Sequence, residues 1–241
     1  MSSEYNALDL YSQVEDLLGV NEVTPKLYAN YMQTLKNLEF SSLLDVGCGR
    51  GSFLVQVKEE YPTLYSMGID LSPRMVKVSQ EKGVEAYHID LCNVDRKFDV
   101  ITAVFDMLNY LDDEELEKFM LCVETHLEDG GYFICDINSF YAFAELAVGS
   151  FIKDDDNRFV TIDSDFDGLE YISEFTLFEK SGNRFKKSQE TILQYYHTVE
   201  RLEELTSLKL IYQIGISVYG EEIEKFYMLF RKKDSPFLPT N

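Results

Sequence analysis

The chain has 241 residues, of which 45% are hydrophobic and 14% aromatic, with 16 Tyr, 17 Phe and no Trp. That composition argues against disorder, and the length fits one ordinary domain with an insertion, or two small domains. A formal charge of -21 disfavours a nucleic-acid or anionic-membrane footprint, both of which need cationic surface, and leaves a neutral or basic small substrate or a merely solvated acidic surface.

The four cysteines, Cys48, Cys92, Cys122 and Cys135, lack C-x-x-C spacing and are read as reduced core residues. His88, His126 and His197 show no H-x-x-x-H spacing, so no metal site is expected. Met1-Ser2-Ser3-Glu4-Tyr5 lacks the basic and apolar regions of a secretion signal. Apolar runs such as 100–105 are too short to span a bilayer. The expectation is a soluble, cytoplasmic protein.

In chain order, the spacings of Leu8, Leu10, Tyr11, Val14, Leu17 and Leu18, then of Leu27, Tyr28, Tyr31, Leu35 and Leu38, predict two amphipathic helices. They separate near 19–25, with Thr24 as N-cap before Pro25. Such a pair would cover the mouth of a site, its tyrosines mainly packing.

Leu43-Leu44-Asp45-Val46 then runs into Gly47-Cys48-Gly49-Arg50-Gly51, followed by a helix over 52–60. This is a buried strand, a tight turn and a helix start, the layout that cradles a nucleotide-type ligand. A dinucleotide site has G-x-G-x-x-G, whereas here Ser52 takes the third glycine's place. Asp45, two residues before Gly47, suits a ligand with an ammonium, such as S-adenosylmethionine, better than one with two phosphates.

A strand over 64–69 ends at Asp70, 19 residues after Gly51, where nucleotide-binding βαβ units place an acid for ribose hydroxyls. Ser72-Pro73 starts a helix over 73–82. Strands over 84–89 and 98–105 end at Asp90 and Asp106; Asp112 caps a helix over 113–127, and Gly130-Gly131 turns into a strand over 132–137. Five strands alternating with helices predict a parallel, doubly wound sheet with Asp45, Asp70, Asp90, Asp106 and Asp136 at its ligand-binding carboxyl ends.

Taken together, Leu44-Asp45-Val46-Gly47-Cys48-Gly49-x-Gly51, Gly68-Ile69-Asp70-Leu71-Ser72, Asp90-Leu91, Phe98-Asp99-Val100-Ile101 and Leu127-x-x-Gly130-Gly131 resemble the successive motifs of class I S-adenosylmethionine-dependent methyltransferases. Asp106-Met107-Leu108-Asn109-Tyr110-Leu111 is similar to the D-x-x-N-Y-L of a bacterial small-molecule branch. The resemblance implies a Rossmann-like seven-stranded sheet with an antiparallel last strand and S-adenosyl-L-methionine as cofactor. It implies that Gly47, Cys48, Gly49 and the Phe105 carbonyl border the methionine moiety and that Asp45 helps hold its ammonium. Asp70 would hold the ribose and Asp90 with the Leu91 amide the adenine, with Leu71 also among the cofactor-binding residues. The chain departs from the family at Glu128-Asp129, where a proline is usual, and Asn109-Tyr110 is not the Asn-Pro-Pro-Tyr box of nucleobase methylation.

Beyond 138 the pattern changes. A short apolar helix (140–148) precedes three alternating stretches, 158–166, 169–179 and 184–196, separated by Asp167-Gly168 and Ser181-Gly182-Asn183. They predict a three-stranded antiparallel insertion, with Leu169, Tyr171, Phe175 and Leu177 on one strand face and Thr191, Leu193, Tyr195 and His197 on another. Residues 139–197 are read as a substrate lid, or a dimerisation sheet, on a core of 1–138 and 198–241. A helix over 199–205, strands over 208–216 and 223–231 and a frayed 234–241 complete the chain.

The expected function is methyl transfer to an N or O atom of a small metabolite. The alternatives are a cofactor-binding module without catalysis, an RNA or protein methyltransferase, a nicotinamide oxidoreductase and aminopropyl transfer. Proton-acceptor candidates are His197, Tyr110 and Asp106, with Asn109, Asn138 and Tyr195 as orienting groups.

Overall fold

The computed structural model describes residues 4–234. The helices are α1 (Glu4–Tyr11), α2 (Val20–Leu35), α3 (Ser52–Glu60), α4 (Pro73–Glu81), α5 (Asp113–His126) and α6 (Val199–Glu204). Seven strands, β1 (Ser42–Val46), β2 (Tyr65–Ile69), β3 (Ala86–Tyr87), β4 (Phe98–Ala103), β5 (Leu127–Asn138), β10 (Lys209–Ile216) and β11 (Lys225–Arg231), form one sheet. The strands β6 (Gly149–Asp154), β7 (Arg158–Phe166), β8 (Glu170–Ser181) and β9 (Arg184–Tyr195) form a second.

The large sheet has the order β10-β11-β5-β4-β1-β2-β3. Pairings from β3 to β5 are parallel, and β11 is antiparallel to both β5 and β10. Every residue of β1 is buried because helices cover both sheet faces, as expected of a parallel core. Leu27, Tyr31, Phe53 and Val57 pack on one face and Leu116, Met120 and Leu202 on the other. Helix starts follow local chemistry: Ser72 Oγ accepts the Met75 N–H with Pro73 in the first turn, and Asp112 and Glu115 make a capping box. The fold is the Rossmann-like one expected, and no described helix is long and apolar enough to cross a membrane.

Several expectations need correction. Helix α2 begins at Val20 with Gly19 as N-cap, so Thr24 and Pro25 lie inside it and not at its start. The strand expected over 84–89 is paired only at Ala86–Tyr87, and part of the apolar helix is a single π-helical stretch, Ala142–Ala147. The small sheet has four strands, not three. After Gly149, at φ 110°, β6 pairs antiparallel with β7 although all its residues are exposed; without a buried face it leaves no alternation to read. Of the expected tail over 234–241, all but residue 234 lies outside the described residues.

Strand β9 presents the opposite face to the one expected. Its pairing sets Gln194 opposite Tyr171 and Ile192 opposite Ser173, so Ile192 and Gln194 point inward while Leu193 is 39% exposed. A phase error of one residue turns every side chain to the other face. The inner face, through Val160, Ile162, Phe175, Leu177 and Ile192, closes on Leu10 and Val14.

Two of the cysteines are not reduced core residues. Cys92, in a 3-10 turn over Leu91–Asn93, is disulfide-bonded to Cys122 on α5, 30 positions later, with their Cα atoms 5.1 Å apart. The chain crosses β4 between them, so no local spacing announces the pair. Cys48 and Cys135 are free and buried. The disulfide removes one support for the cytoplasmic expectation.

Candidate active site

The strand order reverses between β2 and β4 about β1, and this switch point opens a crevice beyond the strand ends. A cleft of about 1480 Å³ lies there, walled by the glycine turn, the ends of β2 and β4, the small sheet and the segment 8–18. That segment is clamped from both sides. Arg50 ion-pairs with Glu15 at 2.9 Å, and Arg158 of β7 donates to the Gln13 carbonyl at 2.6 Å and to Asp16 at 2.7 and 2.9 Å. The end of α1 and the turns over 12–19 therefore cover the site, in place of the expected helix through Leu18, and Tyr11 and Tyr28 line it.

Gly47, Gly49 and Gly51 have φ of 69°, 51° and 70°, where side chains other than glycine are strained. A Cβ at Gly49 would meet nothing within 4 Å, so this turn leaves open cradle space against the cleft. At Gly68 on β2 a Cβ would stand 2.7 Å from Cys48 Sγ and 2.8 Å from Leu54 Cδ1, which is how the turn seats closely on its neighbour strand. Burial pushes the Cys48 thiol up, which keeps it protonated.

Asp45 is 1% exposed, its Oδ1 accepting the Thr102 hydroxyl at 2.7 Å. Burial, aided by nearby Asp70 and opposed by the Thr102 bond, pushes its carboxyl up to about 7. Asp70 accepts the Gly49 N–H and the Ser72 N–H, each at 2.8 Å, and burial raises its carboxyl too. Asp90 accepts the Cys92 N–H at 2.8 Å. Leu71, Leu91 and Phe105 join these residues in the cleft wall. One buried and two half-buried carboxylates with acceptor capacity left, beside an open glycine turn, fit a ligand carrying one ammonium and several hydroxyls and amines.

At the end of β4, Phe105 and Asp106 take positive φ of 67° and 50°. Fully buried Asp136 on β5 holds this turn: Oδ1 accepts the Phe105 N–H at 2.8 Å and the Tyr31 hydroxyl at 2.6 Å, and Oδ2 accepts the Asp106 N–H at 2.9 Å. The Asp106 carboxylate accepts Lys225 Nζ at 2.5 Å and Gln194 Nε2 at 2.9 Å. Burial raises the Asp106 carboxyl, with Lys225 opposing. Asn109 donates to the Tyr195 carbonyl at 2.7 Å and accepts the Asn138 N–H at 2.9 Å, stapling the small sheet to the large one.

Of the three proton-acceptor candidates, Asp106 and Tyr110 line the cleft and His197 does not. The His197 ring is buried, its Nε2 donates to the Leu111 carbonyl at 2.9 Å, and burial pulls its pKa down. Gln194, on the inward face of β9, reaches the cleft, whereas His197 lies beyond the last residue of that strand and is held at the Leu111 carbonyl. Burial pushes the Tyr110 phenol well up, making it a donor rather than a base. Sequence reading missed Gln194, Lys225 and Tyr219. Only Lys225, a cation within an apolar strand, carried any sign of its role.

Comparison with known proteins agrees with this geometry. Residues 43–131 match the family model described as "Methyltransferase domain". No curated protein matches in sequence. Among solved structures, an S-adenosylmethionine-dependent methyltransferase from Clostridium acetobutylicum superposes with a TM-score of 0.78 at 24% identity, covering 94% of this chain and 99% of the other. CalS10, an amino pentose methyltransferase from Micromonospora echinaspora solved with S-adenosylmethionine, gives 0.69 at 19% identity, covering 93% and 97%. The sugar N-methyltransferase KedS8 from Streptoalloteichus gives 0.65 at 20% identity, covering 81% of each. At these identities the structural likeness establishes the fold. The sequence match within that fold covers residues 43–131, so this part of the chain is similar in both sequence and fold to a methyltransferase domain.

Proposed function

We propose that the protein transfers the methyl group of S-adenosylmethionine to a nitrogen of a small-molecule amine. The carrying observation is the far end of the cleft, where the Asp106 carboxylate is faced by phenol and amide groups and, among the described residues, by no cation besides Lys225. Tyr11, Tyr110, Tyr171 and Tyr219 line that end, and aromatic faces beside a carboxylate suit an ammonium-bearing molecule. The amino pentose and sugar N-methyltransferases among the similar folds point the same way, as does the net charge of -21.

In this reading Asp45 holds the methionine ammonium, Asp70 the ribose hydroxyls, and Asp90 with the Leu91 amide the adenine. Bound S-adenosylmethionine supplies an activated methyl on a sulfonium, so the protein's work is alignment, water exclusion and one proton. Segment 8–18 and the small sheet act as the lid that excludes water. An amine is protonated at neutral pH and must lose a proton before it attacks; Asp106 accepts it. Glu224, accepting the Val218 and Gly220 N–H groups at 2.8 Å each, fixes the turn that carries Tyr219 into the cleft.

The test is incubation with methyl-labelled S-adenosylmethionine and a panel of amino sugars and other small amines, followed by mass spectrometry. Label in an amine product, lost by about 10²-fold or more in Asp106→Asn, is the expected result. Cofactor binding without transfer to any amine or hydroxyl would replace this reading by that of a binding module.

A further inference from the structure

Lys225 enters the cleft from β11 and gives all three of its ammonium hydrogens to protein acceptors. They go to Asp106 Oδ1 at 2.5 Å, Asn138 Oδ1 at 2.8 Å and Asp136 Oδ2 at 3.1 Å. The side chain is 9% exposed, and its charge faces 14% exposed Asp106 and fully buried Asp136. A buried ammonium with every donor satisfied is fixed in place and in charge.

The two carboxylates differ in what remains open to them. Asp136 accepts Tyr31, Phe105, Asp106 and Lys225, so its lone pairs are spent on holding the turn. Asp106 accepts one bond on each oxygen and lines the cleft. Two carboxylates this close do not both stay ionised in a buried site without a cation between them. The groups facing Asp106 are Lys225 from β11, Asp136 from β5, Tyr11 from α1, Tyr110 from its own turn and Tyr219 from the turn before β11. The tyrosines are neutral phenols, so Lys225 is the only cation in that set.

We propose that Lys225 is a positioning residue for methyl transfer, holding Asp106 as an oriented carboxylate in the cleft. The proposal rests on the reading of Asp106 as proton acceptor. Lys225 is not itself the base: burial alone would lower its pKa, but the two carboxylates outweigh that and raise it. A compact ammonium reaches three acceptors, Asp106 after β4 and Asp136 and Asn138 on β5, which a planar guanidinium does not do in the same way.

The experiment is NMR of protein labelled at aspartate carboxyl carbons and, separately, at lysine ε-carbons, which needs no acceptor. The Asp106 resonance is identified by its loss in Asp106→Asn. Lys225→Met is expected to raise the Asp106 titration midpoint by about one pH unit or more, and Lys225→Arg to return most of that shift. Reciprocally, Asp106→Asn is expected to lower the Lys225 midpoint; Asp136 still pairs with the ammonium there, so this arm decides if Lys225→Met does not fold. An Asp106 midpoint unmoved in folded Lys225→Met, or a Lys225 midpoint unmoved in Asp106→Asn, overturns the proposal. Full methyl transfer by Asp106→Asn overturns the underlying reading instead, whatever the NMR coupling.

Discussion

Gln194 donates its side-chain amide to Asp106 Oδ2 across 2.9 Å, joining the last strand of the small sheet to the turn at the end of β4. The bond makes the orientation of Asp106 depend on the seating of the small sheet. A hydrogen bond to a charged group contributes about 1.5–3 kcal/mol. Gln194→Leu is therefore expected to lower kcat/KM for the methyl acceptor by about tenfold or more and to leave the Kd for S-adenosylmethionine unchanged. Steady-state kinetics beside calorimetric titration separate the two.

Cofactor binding is expected to depend on pH through Asp45. In the free protein burial places this carboxyl at about 7, so at and below neutrality it is substantially protonated. An ammonium beside it favours the ionised form and lowers that value, so binding releases a proton. Affinity should weaken as pH falls below about 7, by up to tenfold per unit, and level off above. Titration calorimetry in two buffers of different ionisation enthalpy measures the released proton, and a Kd flat from pH 5.5 to 8 (about two and a half units) would remove Asp45 from the ammonium site.

Two glycines should fail for different reasons. Gly68→Ala places a methyl against Cys48 and Leu54 within the core, an overpacking that costs about 1–3 kcal/mol of stability. Gly49→Ala meets no protein atom and costs about 1–2 kcal/mol in backbone strain, but its methyl fills the cradle. Chemical denaturation should rank Gly68→Ala as the less stable variant, and cofactor titration should rank Gly49→Ala as the weaker binder.

The Cys92–Cys122 bond closes a long loop between the turn carrying Asp90 and α5. Reduction, or Cys122→Ser, is expected to lower unfolding stability by about 3 kcal/mol through the unfolded chain's entropy and to weaken cofactor binding by loosening that turn. Thiol titration of the denatured, unreduced protein should find the two free cysteines, Cys48 and Cys135.

Much of the glycine-turn side of the cleft is legible in the amino-acid sequence because its causes are local. The glycine turn after β1, Ser72-Pro73 before α4 and the Asp112 cap are settled by residues within a few positions of each other. A parallel sheet with short connections then brings Asp45, Asp70, Asp90 and Asp106 to one edge, whatever the details of packing. The alternation in β7 and β8 likewise marks the small sheet, since one face is buried and the other wet.

The partners of Asp106 are decided by tertiary structure alone. Strand β9 alternates on both phases, Ile192 and Gln194 against Leu193 and Tyr195, and only pairing with β8 chooses which set faces inward. That choice brings Gln194 to Asp106. Lys225 meets Asp106 across 119 positions, Cys92 meets Cys122 across a whole strand, and β6 has no buried face to announce it. Short-range propensity and periodicity carry the first set of features; contacts between distant segments, which depend on register and packing, carry the second.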